Sequence, residues 1–248
     1  MANLMRTSNP ALNEKAFRGQ VAFGEAMTLQ GTVNKTGFLL LCVVATAAWT
    51  WGLSHSPVPG AAVPWMMGGV FGGFIVALVT IFKANWAPFT APIYALLEGL
   101  ALGGISAMFE RAYPGVAIQA VGLTFGVLFV MLLAYKTGTI RATQGFKLGV
   151  IAATGGIALL YLVEMVLGGF FHIQVPAING SGVVGIGFSL FVVVIAALNL
   201  VLDFDMIETG VRNGAPKYME WYGAFGLMVT LIWLYLEILR LLAKARRR

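Results

Sequence analysis

Charge is scarce in this sequence. Only 10% of its 248 residues are Asp, Glu, Lys or Arg, while 59% are hydrophobic. A soluble domain carries about 25% charged residues, so a chain this poor in charge cannot cover a water-facing globule. Cysteine is rarer still. Cys42 stands alone, which excludes an intrachain disulfide and a cysteine-built metal cluster. The two histidines, His55 and His172, fall between apolar runs, and a metal site of the HExxH kind is excluded with them. The alternating segments of about ten residues that mark an outer-membrane barrel are also missing. The opening MANLMRTSNPALNEKAFRGQ is polar where a cleaved secretory signal has a charged start and then an apolar stretch.

Enzymatic signatures are missing too. Gly187-Phe188-Ser189-Leu190-Phe191 lacks the second glycine of a nucleophile elbow, and no histidine is placed on a facing helix to activate Ser189. No phosphate-binding glycine loop follows a strand. A retinal-binding lysine would have to sit midway along the last apolar run, and Lys244 lies beyond its end. The chain is expected to be a non-enzyme without a resident cofactor.

What is present are apolar runs of about 20 residues, the length needed to cross the hydrocarbon layer as a helix. They lie near residues 37–55, 64–82, 91–109, 116–135, 146–171, 182–202 and 222–242. The fold expected is all-α, a polytopic membrane protein of seven transmembrane helices. Residues 1–36 form a polar cytoplasmic segment, 37–242 the membrane domain and 243–248 a basic tail. Breakers mark the connectors: Pro57, Pro59 and Gly60 after the first run, and Asn179-Gly180-Ser181 before the sixth. The stretch from Asp203 to Trp221 is expected to be the longest loop. Many of the 31 glycines lie inside the runs, where small residues let helix backbones approach closely in lipid.

The net charge of +6 and the pI near 9.6 do not imply a nucleic-acid partner, because the basic residues sit between the runs. With the N-terminus inside, Arg6, Lys15, Arg18, Lys35, Lys83, Lys136, Arg141, Lys147, Arg212 and Lys217 are cytoplasmic and Arg111 faces the other side, as the positive-inside bias requires. Lys244 and Arg246 to Arg248 go against that bias if the last helix crosses, which is the favoured reading over re-entry.

An ionisable residue inside the bilayer is costly and marks a candidate site. Glu98, Glu164 and Glu237 lie within apolar runs, and Asp203 and Asp205 close the sixth. Each has a plain structural reading. Glu98 can hydrogen-bond a neighbouring helix, Glu164 can reach the outer interface, and Glu237 can pair with Arg240 three residues on. Asp203 and Asp205 can be a solvated helix end, although for Asp203 the apolar run leads directly into it.

The segments LEGLALGG (Leu97 to Gly104), LNLVLDFDMIE (Leu198 to Glu208) and LYLEILRLL (Leu234 to Leu242) resemble the Bax inhibitor-1, or transmembrane Bax inhibitor motif, family. TSNPALNEKAF and GAPKYMEWYGAFGL resemble its bacterial branch. The resemblance implies a seven-helix fold with the C-terminal helix central and wrapped by the other six. It implies a pH-gated calcium leak through acids on helices six and seven. The span-six acid falls on Asp203, with Asp205 beside it. The span-seven acid falls on Glu237 if LYLE sets the register, or on Thr230 if Leu239-Arg240 does. Asp203 and Glu237 would then hold Ca²⁺ transiently, Lys83 would be the cation that restrains the span-six acid, and Glu98 and Glu164 would be secondary acids. Ca²⁺ and H⁺ are the species moved, in a bacterial inner membrane with the N-terminus cytoplasmic. Two alternatives stand beside this: a non-conducting regulator of a membrane protein such as a protease, and a proton-coupled cation exchanger.

Overall fold

The computed structural model describes residues 25–171, 178 and 180–247. His172 and the first 24 residues of the polar N-terminal segment lie outside that range. Seven helices among the described residues are long and apolar enough to cross a membrane, and the protein is an all-α polytopic membrane protein. They are α1 (Leu29–Ser54), α2 (Val63–Phe82), α3 (Ala87–Ala112), α4 (Val116–Lys136), α5 (Gln144–Phe171), α6 (Val183–Arg212) and α7 (Met219–Arg246), with a single 3₁₀ turn, Ala84–Trp86, between α2 and α3.

Local chemistry sets the boundaries. The Thr28 hydroxyl accepts from the Gly31 N–H at 2.9 Å, satisfying one of the free donors at the start of α1. Prolines open α2 and α3, where a missing N–H costs nothing. The Glu110 carboxylate at the end of α3 accepts from the Gly115 and Ala117 N–H groups, at 2.5 and 3.0 Å, and so starts α4. Gly138 and Gly214 follow the ends of α4 and α6 with φ of 70° and 63°, the left-handed conformation that closes a helix and that glycine adopts without strain.

α7 is the central helix. In its most apolar stretch 56% of residues are buried, against 17% in α2 and 11% in α5. α1, α3, α4 and α6 pack directly on it, α2 packs on α3, and α5 packs on α6, reaching α7 through side chains. In lipid the driving force for such packing is close fit rather than exclusion of water, and small residues provide it. A Cβ added to Gly103 would lie 2.2 Å from the Ala47 carbonyl oxygen on α1, and one added to Gly69 2.5 Å from that of Leu97. Polar links join helices as well: Thr46 donates to the Leu96 carbonyl at 2.9 Å across α1 and α3, and Asn199 to the Thr154 hydroxyl at 2.8 Å across α6 and α5.

α7 passes straight through the bundle. Its first turn meets the start of α1, where Glu220 accepts from the Thr28 N–H and hydroxyl, both at 2.8 Å. Its last turn meets the start of α4 at the opposite end, where Arg246 donates to the Pro114 carbonyl and to Gln119. The last helix therefore crosses. The expected long loop after Asp203 shrinks: α6 continues to Arg212 and α7 already begins at Met219.

Candidate functional site

The longer α6 changes the setting of Asp203. Nine residues of helix follow it, about 13 Å along the axis, so it lies within the bundle rather than at a solvated end. It faces α7 between Gly226, where an added Cβ would come 3.9 Å from its Oδ1, and the buried Thr230, whose hydroxyl acts on the carboxylate. Its other oxygen, Oδ2, is buried and has no partner among the described residues. One oxygen of this buried carboxylate is thus left without a donor.

Glu237 lies elsewhere. It is seven residues beyond Thr230 on α7, about 10 Å further along the axis. Only 2% exposed, it receives the Tyr161 hydroxyl of α5 at 3.0 Å on each oxygen and the Arg240 guanidinium at 3.0 Å. Arg240 also donates to the Tyr161 oxygen at 2.8 Å and lies over its ring. The plain reading of Glu237 as half of an ion pair with Arg240 is what the geometry shows. Asp203 and Glu237 are not brought together, and Thr230 occupies the place on α7 that faces Asp203.

The remaining candidates fall around this seam. Asp205 points to α5, where the Lys147 ammonium pairs with it at 2.5 Å. Lys83, at the end of α2, is exposed and makes no ion pair among the described residues. The cation that reaches Asp205 from another helix is Lys147, and among the described residues no ion pair joins Lys83 to an acid of α6. Glu98 is near Tyr94, one turn earlier on its own helix, and lies against α2, where a Cβ added to Gly73 would come 2.8 Å from its Oε1. Glu164 is half-buried on α5 and acts electrostatically on Lys244.

Several polar groups were not singled out from sequence. Glu220 is fully buried at the start of α7, where Lys35 of α1 reaches it and Lys217 lies at 3.4 Å. The Glu25 carboxylate, 3.2 Å from Lys217, holds that ammonium above its ordinary range. Tyr135 donates to Glu208, which also pairs with Arg212. At the far end, Lys244 is folded inward among oxygens of the α6 start. The signal for Glu220 was its spacing of three from Lys217, hidden because the apolar run begins after it.

A cavity of about 490 Å³ lies between α1, α3, α4 and α7. Its walls are Val43, Ala47, Ile118 and Phe125, and its floor is Met228 and Ile232. The Ser106–Tyr235 hydroxyl pair, 2.6 Å apart, lies at its edge. Asp203 is not among the residues that line it. Groups of three or more metal-binding side chains are absent among the described residues.

No curated protein and no solved structure matches the chain. One protein-family model does, described as Bax inhibitor 1 like, and it matches residues 9–247. That span takes in all seven helices, with Asp203, Thr230 and Glu237 among them, and the chain belongs to the Bax inhibitor 1 like family.

Proposed function

We propose that the protein is a passive, proton-sensitive cation leak, with Ca²⁺ as the physiological ion, and that Asp203 is its sensor and narrowest binding point. The observation that carries this reading is the unpartnered Oδ2 of Asp203 in the α6–α7 seam. A buried carboxylate oxygen without a donor is costly, and taking up a proton or a cation relieves that cost. With a proton on Asp203, α6 and α7 stay packed and the seam is shut. Without it, the carboxylate offers the hard oxygen that Ca²⁺ prefers, and the negative charge favours cations over anions in a narrow path.

Thr230 takes the part that a second acid would otherwise have, as the hydroxyl that fixes the carboxylate's orientation. Glu237 belongs to the reading as a second acid deeper along α7, screened by Arg240 and opened only when Tyr161 moves. Asp205, with Lys147, lies at the mouth of the path at the end where α1 begins, which is cytoplasmic by the distribution of Lys and Arg. Lys83 at the end of α2 and the acids Glu98 and Glu164 have lesser parts, in setting the field along the path.

Purified protein in liposomes loaded with a calcium indicator tests this. Wild type is expected to leak Ca²⁺ with a rate that varies with pH, and Asp203→Asn to abolish both the leak and its pH dependence. Unchanged flux and unchanged pH profile in Asp203→Asn would overturn the assignment. Saturable flux that requires a counter-ion would replace leak with exchange. Absence of flux at every pH, with a membrane protein retained through purification, would replace transport with regulation of that partner.

A further inference from the structure

Lys244 is placed as a bound ion would be. Its ammonium has three donors, and three oxygens meet them: the Ile178 carbonyl just before α6, the Gly185 carbonyl at 3.2 Å and the Ser189 hydroxyl at 2.7 Å. The residue is 7% exposed and Ser189 1%. The seat is built by close packing, since a Cβ added to Gly185 would lie 1.9 Å from the Gly180 carbonyl oxygen, which sets Gly180 tightly over the first turn of α6.

Two things would draw this ammonium away. Water is within one turn, because Ala245, Arg246 and Arg247 are exposed, and lysine stems readily extend to carry their charge outward. The start of α6 also presents the positive end of its helix dipole. The ammonium stays against both because the three oxygens coordinate it. Arg240, Glu237 and Glu164 act on it electrostatically, so it belongs to the charged cluster at the far end of α7.

We infer that the oxygens of Ile178, Gly185 and Ser189 form a monovalent-cation site at the far end of the α6–α7 seam, filled by the Lys244 ammonium as a tethered occupant. Three neutral oxygens are too few for Ca²⁺, which takes six to eight and usually a carboxylate. They suit a primary ammonium or an alkali cation. With Lys244 seated, its charge offsets those of Glu237 and Glu164 together with Arg240, and the far end of the seam attracts cations less than it would with the seat empty. This last consequence rests on the proposed leak; the site itself does not.

Lys244→Ala empties the seat. In detergent, its thermal midpoint is expected to fall below that of wild type and to recover at least half of the loss in methylammonium chloride. Tetramethylammonium chloride at equal concentration, too bulky for the seat, is expected to restore nothing, and wild type to respond to neither salt. Equal responses of Lys244→Ala to the two salts would overturn the site. Ser189→Ala, which keeps the lysine and removes one oxygen, gives a second reading should Lys244→Ala not fold. Acylation of Lys244 by a water-soluble amine reagent, located by mass spectrometry, is expected to be slow in wild type and at least severalfold faster in Ser189→Ala, and equal rates would again overturn the site. In calcium-indicator liposomes, Lys244→Ala is expected to leak several times faster than wild type and to be slowed by methylammonium. Methylammonium rescue of the midpoint without any flux in either protein supports the site and removes the calcium reading.

Discussion

Lys35 of α1 reaches across the end of the bundle to Glu220 in the first turn of α7, and the same carboxylate takes the N–H and hydroxyl of Thr28. Glu220 is fully buried, so its charge is sustained by these donors alone and by Lys217. Glutamine keeps one accepting oxygen for Thr28 but removes the charge and the second oxygen that Lys35 pairs with. Glu220→Gln is expected to lower stability by about 2–3 kcal/mol, the scale of charge-assisted hydrogen bonds, and Lys35→Met by less, because Lys217 remains. Thermal unfolding in detergent checks both, and a Glu220→Gln midpoint equal to wild type would refute the clasp.

Glycine acts differently at positions that look alike in sequence. At Gly103 an added methyl meets the α1 backbone, 2.2 Å from the Ala47 oxygen, whereas at Gly122 on α4 nothing lies within 4 Å. Gly103→Ala should force α1 and α3 apart at a cost of about 1–3 kcal/mol. Gly122→Ala should be neutral or stabilise by up to about 1 kcal/mol, since alanine is the better helix former. Equal effects of the two on the thermal midpoint would contradict the packing described.

Asp203 and Asp205 are two residues apart and are expected to behave unlike each other. Asp205 pairs with a partly exposed lysine, an arrangement worth about 0–1 kcal/mol. Asp205→Asn and Lys147→Met should each change stability little and leave calcium flux within about twofold of wild type. Asp203→Asn should abolish the pH response. If the two asparagine variants lose flux equally, the distinction between buried sensor and peripheral pair does not hold.

The crossing of α7 predicts where reagents can reach. In a Cys42→Ser background, cysteines placed at Asn213, in the α6–α7 connector, and at Ala245, in the last turn of α7, are both exposed but at opposite ends. A membrane-impermeant maleimide added outside sealed vesicles of one orientation should label one and spare the other. Labelling of both would mean that the last helix re-enters.

The seven spans and the central last helix were legible in the sequence because length and apolarity alone decide membrane crossing, and the family motifs supplied the centre. The ends were not. α6 runs ten residues past the apolar window at Leu202, through Asp203, Asp205, Glu208 and Arg212. Those charges read as a loop, yet each finds a partner on α4, α5, α7 or its own helix that lets the helix continue. The same blindness hid Glu220, outside its apolar run but inside α7. Pairing was the least legible. Both Glu237 and Thr230 were readable as the residue opposite Asp203, and the choice turned on where α7 begins, a tertiary matter set by the clasp at Glu220.

The central helix is also the last of the seven to be synthesised. Ribosomes deliver a chain from its N-terminus, so the faces of α1, α3, α4 and α6 that pack on α7 have no such partner until residues 219–246 arrive. The defining contacts are those of greatest sequence separation, 192 residues between Thr28 and Glu220, and they close last. Insertion and assembly are thereby separated in time: α1, α2 and α3 can pack on one another first, and the seam beside Asp203 comes into existence in the step that seats the seventh helix.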